Sequence, residues 1–106
     1  MRYTLYNVDY YYIYLNIYDT DNNVIMGYNL YKEDVQFFLT LKNNLHNKDY
    51  TDKKSNEVLN YVDETLLFKF IIDDKPSIFS IDDKDFIKRM CESIITEAIK
   101  MNIISS

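Results

Sequence analysis

Asp19, Asp21 and Asn23, in the segment DTDNNVIMGYNL, stand at the first, third and fifth positions of a calcium-binding loop. That loop also needs glycine at its sixth position for a sharp turn and a bidentate glutamate at its twelfth. The chain has Val24 and Leu30 there, so the segment reads as a polar turn. Asp82, Asp83 and Asp85 form a second carboxylate group, chemically able to hold a divalent cation or to imitate phosphates. Capping and the positive end of a helix already account for acids at such a place.

The other chemically capable residues stand alone. His46 is the single histidine and falls at the polar end of a helical pattern, with no serine or cysteine placed beside it by periodicity. Gly27, the single glycine, lies in a strand-like stretch, so no glycine-rich phosphate loop exists. Cys91 cannot form an internal disulfide, and in FIKRMCESII it sits among helix-patterned apolar residues, which reads as a buried thiol in a reducing compartment. The expectation is a protein with no metal, no cofactor and no enzymatic activity.

The remaining unusual feature is DYYYIYLNIY, residues 9 to 18, with five of the chain's eleven tyrosines. Separated by parity, Tyr11, Ile13, Leu15 and Ile17 fall on one strand face and read as core. Tyr10, Tyr12, Tyr14, Asn16 and Tyr18 fall on the other. A tyrosine ring packs on cross-strand neighbours while its hydroxyl stays wet, which suits an uncovered sheet face. Tyrosine also offers rigid contact area at low entropic cost and is enriched in interfaces. An aromatic sheet face can stack nucleic-acid bases, but the glycine-containing motif and basic surroundings of such modules are missing.

The elements that position these residues follow from periodicity. Thr20 to Asn23 signal a turn, after which Val24, Met26, Tyr28 and Leu30 alternate with Ile25, Gly27, Asn29 and Tyr31, giving a hairpin. Val35, Phe38, Leu39 and Leu45 recur at helical spacing, with Phe37 and Leu41 beside them, and predict a helix over 32–46. Residues 47–56 read as a surface loop, and 57–62 as ambiguous. Leu66, Phe68, Phe70 and Ile72 alternate into a second turn and SIFSI, with Phe70 expected opposite Phe79 and Phe68 opposite Ile81. Asp82 is expected to cap a helix over about 83–101. The order ββαββα predicts an α+β two-layer sandwich: one four-stranded, mainly antiparallel sheet with two helices on one face.

With 106 residues and 47% apolar content, the chain suffices for a single domain over 1–106 with its own core. The net charge of −5 disfavours direct contact with nucleic acid or an anionic membrane surface. No window approaches eighteen uninterrupted apolar residues, and no export signal is apparent, so a cytoplasmic location is expected. These features point to a small acidic protein that acts by binding another protein, one with a basic, nucleic-acid-binding surface being a suitable target. An inhibitor from a mobile element, of anti-CRISPR or other anti-defence type, fits that description. The alternatives are an immunity protein neutralising a toxin nuclease, and a small ligand-binding or enzymatic domain. The expected contact residues are Tyr10, Tyr12, Tyr14, Tyr18 and Tyr31, with Asp73, Asp74, Asp82 and Asp83 as an acidic supplement. Pairing of two copies through the tyrosine face is a further expectation.

Overall fold

Every predicted hairpin and helix forms, but around two sheets instead of one. The computed structural model describes residues 1–53 and 58–105. Strands β1 (Arg2–Val8), β2 (Tyr12–Tyr18) and β3 (Val24–Leu30) precede α1 (Lys32–Asn44). Strands β4 (Asp52–Lys53), β5 (Leu59–Val62), β6 (Thr65–Ile72) and β7 (Lys75–Ile81) precede α2 (Lys84–Lys100). The first sheet has the order β1-β2-β3; the second has three full strands with the two-residue β4 at its edge, in the order β4-β5-β6-β7. The expected single four-stranded sheet is therefore wrong. Each hairpin recruits the strand before it, and the two meanders do not join. Part of the expected 47–56 loop belongs to β4, and residues 54–57 lie outside the described residues.

Tight turns build both meanders. Asp9 and Tyr10 have φ of 52° and 60°, Asp63 and Glu64 of 52° and 61°, and Asp73 and Asp74 of 50° and 61°. Paired positive φ values are those of the type I′ turn, whose twist matches the flanking strands. The lone glycine serves none of them. Asp73-Asp74 links Ile72 to Lys75, so Phe68 faces Phe79 and Leu66 faces Ile81, two residues away from the expected register. Proline explains the difference. A two-residue Asp74-Lys75 loop would make residue 76 one of the hydrogen-bonded pair closing the turn, and Pro76 has no N–H to give. In the observed register Pro76 faces Ile71 on an edge strand, where proline is tolerated. A shift of two residues preserves the faces, so Phe68 and Ile81 are buried as expected.

One core joins both sheets and both helices. Ile13, Leu15 and Ile17 from β2 are fully buried, as are Phe38 of α1, Leu66 of β6 and Ile87 of α2. Phe68 is its junction. Its ring centroid lies 5.8 Å from that of Tyr28 on β3, 6.4 Å from Phe38 on α1 and 6.3 Å from Phe79 on β7. Truncating such a ring to alanine costs about 3–5 kcal/mol. Tyr11, expected in the core by parity, is instead 78% exposed, because it completes the turn after Asp9 and Tyr10 and donates its N–H to the Val8 carbonyl.

The helix starts are capped by acids. Asp34 at the third position of α1 accepts the Tyr31 N–H at 2.8 Å. Asp83, not Asp82, is the N-cap of α2, accepting the Phe86 N–H at 3.1 Å. The cap therefore lies one residue beyond the expected place.

Candidate functional site

The tyrosines of β2 share the first sheet's outer face with residues supplied by β1, a strand that alternation in β2 could not reveal. Tyr14 pairs across to Tyr6 on β1 and to Asn29 on β3; Tyr12 pairs with Val8, Asn16 with Thr4 and Gly27, and Tyr18 with Arg2. Tyr31 follows β3, its ring centroid 5.1 Å from that of Tyr12. The result is one aromatic surface that includes Tyr6 (53% exposed), Tyr31 (47%) and Tyr14 (37%), with Ile25 exposed on β3. Asn16, expected on this face, lies buried within it. Tyr10 stands at the rim, in the β1–β2 turn, where its N–H is accepted by Asn7 Oδ1 at 2.9 Å.

One end of the face is fastened by polar contacts. The Arg2 guanidinium lies 3.9 Å from the Tyr18 ring centroid, the range of a cation–π contact, and Arg2 Nε donates to Asn22 Oδ1 at 3.0 Å. Tyr18 and Thr4 share a hydrogen bond between hydroxyls at 3.2 Å. The neighbouring Asp19 turn is organised from within: Asp19 Oδ1 accepts the N–H groups of Asp21 and Asn23 at 2.8 and 2.9 Å. The Asn23 N–H above all holds the Asp19 carboxyl below its ordinary value. These bonds explain the calcium-loop spacing as turn chemistry.

The expected acidic supplement is divided. Asp73 and Asp74 turn the chain at one end of β6, whereas Asp63 and Glu64 turn it at the other, the end from which Asp82 and Asp83 lead out of β7. The two acidic turns therefore cannot merge into one patch. Charge at the second end is also partly met: Glu64 pairs with Lys84, which lowers the Glu64 carboxyl and raises the Lys84 ammonium. Among the described residues, no group of three or more His, Cys, Asp or Glu is arranged to hold a metal.

Two surfaces escaped the sequence reading. Tyr6 was missed with its strand. On the second sheet, Ile71 and Ile78 are exposed and border a shallow apolar groove with Phe70 and Pro76. Its signal was present, since alternation puts Ile71 beside Lys69 on the face opposite Phe68 and Phe70.

No helix among the described residues is long and apolar enough to cross a membrane. Compared with known proteins, the chain matches no family model, no curated protein and no solved structure.

Proposed function

We propose that this chain is a small acidic binding protein that acts by covering a surface of another protein, with the outer face of the first sheet as its contact. The observation that carries the reading is the continuous exposure of Tyr6, Tyr14, Tyr31 and Ile25 on a face that no helix covers. Phenols there present flat apolar area and hydroxyls that accept or donate, without a nucleophile–base pair beside them. A partner with a complementary apolar centre and a basic rim fits both the tyrosines and the net charge of −5. Steric blockade of that partner is the mode of action, which is how an anti-defence inhibitor or an immunity protein would work.

The test is capture of partners from the host extract, followed by titration of the purified partner against wild-type and Tyr6→Ser/Tyr31→Ser protein. Those two tyrosines are preferred to the β2 residues because their exposure leaves the core intact. Affinity should fall at least about tenfold with an unchanged melting profile. Equal affinity of the variant would overturn the assignment of the face.

A further inference from the structure

Sheet edges invite pairing with other chains unless they are blunted, and three of the four edges here are. β4, two residues long among the described residues, is charged at both, Asp52 and Lys53. β7 carries Lys75 and Pro76 at its start. β3 carries a bulge, since Ile17 and Tyr18 pair with Met26 and Val24 and leave Ile25 without an opposite residue. β1 has none of these devices. It runs seven residues in unbroken register with β2, without proline, lysine or bulge, and its only charge is Arg2 at one end.

We infer that β1 is the seam of a homodimer, in which the β1 strands of two copies pair antiparallel about Leu5 and join the two first sheets into one of six strands. The occupant is a second copy because the groove beside β1 is complementary to itself. That groove, of about 570 Å³, is bordered by Tyr3 and Leu5 from β1 and by Arg89, Glu92, Ser93, Thr96 and Glu97 from α2, so each copy offers one base and two acids there. Strand and helix run the same way, since the chain at the start of β1 (Met1 to Tyr3) lines a pocket with Phe86 and Arg89 at the start of α2, whereas Leu5 lines only the groove that extends from Arg89 to Glu97. A two-fold axis that makes the strands antiparallel therefore makes the helices antiparallel too.

Leu5 then meets Leu5 of the second copy, and Thr4 meets its Tyr6, which carries the tyrosine face across the seam. On α2, Arg89 and Glu97 lie four residues to either side of Ser93. The same axis brings each Arg89 toward the other copy's Glu97, a self-matching arrangement that an isologous interface requires. The spacing also fits. α2 touches both β1 and β2, and strands about 4.8 Å apart place two such helices about 10 Å from one another across the axis, an ordinary packing distance.

Sedimentation equilibrium on the full chain tests the seam, using charges on α2 that lie outside the core, Arg89 being exposed and Glu97 half-buried. Wild-type protein should show a concentration-dependent dimer, Arg89→Glu should raise the dimer dissociation constant about tenfold, and Arg89→Glu/Glu97→Arg should restore it. Leu5→Lys, an inward-pointing edge charge, should leave a folded monomer by circular dichroism. A monomer at every concentration would overturn the inference. So would a dimer indifferent to Arg89→Glu, or one abolished by Tyr31→Ser.

Discussion

The ring of Tyr14 lies over Gly27, on the neighbouring strand and two pairs along, where Gly27 faces Asn16. A Cβ built on Gly27 would stand 2.8 Å from Tyr14 Cζ, inside any real carbon contact. Gly27 does not adopt a positive φ, so the need for glycine is spatial, and the tyrosine ring supplies the cover that the missing side chain cannot.

Gly27→Ala should therefore destabilise the protein by about 1 kcal/mol as the exposed Tyr14 ring is displaced. In a Tyr14→Ala background the same change should stabilise by about 0.5–1 kcal/mol, because alanine is the better strand residue once the space is free. Urea denaturation of the four proteins in the cycle measures both. Additive effects would show that the ring does not rest on the glycine.

The two candidate caps of α2 separate by substitution. Asp83→Ala should cost about 1 kcal/mol through loss of the bond to the Phe86 N–H. Asp82→Ala should change stability by less than about 0.5 kcal/mol. Thermal melts at one pH suffice.

Asp73 and Asp74 both hold a left-handed backbone, which side chains with a Cβ adopt at a cost. Replacing them together by Asn-Gly should stabilise by about 1 kcal/mol with the register unchanged. Loss of stability would mean that these carboxylates make contacts worth more than the relief of strain.

Alkaline stability has a direction set by burial. The Cys91 thiol is pushed from 9.0 up to about 12 by its apolar surroundings, and burial first, then Asp34 and Asp52 respectively, raises the phenols of Tyr28 and Tyr50. The folded chain keeps protons that the unfolded chain releases, so stability should be intact below pH 9 and decline between 9 and 12. Cys91→Ala should flatten the first part of that decline, leaving the phenols' share. Denaturation midpoints across the alkaline range measure the slopes, and an unchanged slope in the variant would put the thiol in water.

The sequence made the contrasted periods readable and hid the weak ones. Ile13, Leu15 and Ile17 alternate with tyrosines, and Phe86, Met90, Ile94 and Ala98 step by four; all of these lie in the core. β1 escaped because its inward residues are Tyr3, Leu5 and Asn7, a set barely more apolar than the outward Arg2, Thr4, Tyr6 and Val8. β5 escaped because Leu59, Asn60 and Tyr61 are all buried, which erases alternation. The division into two sheets is a property of strand partnership, and no local pattern encodes which edges meet. The tyrosine face was readable as a face, whereas its extension onto Tyr6 depended on the unseen strand, and the acidic supplement is divided because turns alternate ends along a meander.

The hydroxyls of Tyr3 and Ser93 share a hydrogen bond at 2.5 Å across 90 residues of sequence. Every strand pair among the described residues, by contrast, joins strands consecutive in sequence. Local hairpins close quickly, whereas bringing β1 against α2 must overcome nearly the whole chain's loop entropy. The docking of α2 on the first sheet is thus the natural slow step of folding. It is also where the molecule would open before it unfolds, uncovering Tyr3 and Leu5 while β1 stays paired with β2 and the second meander stays closed.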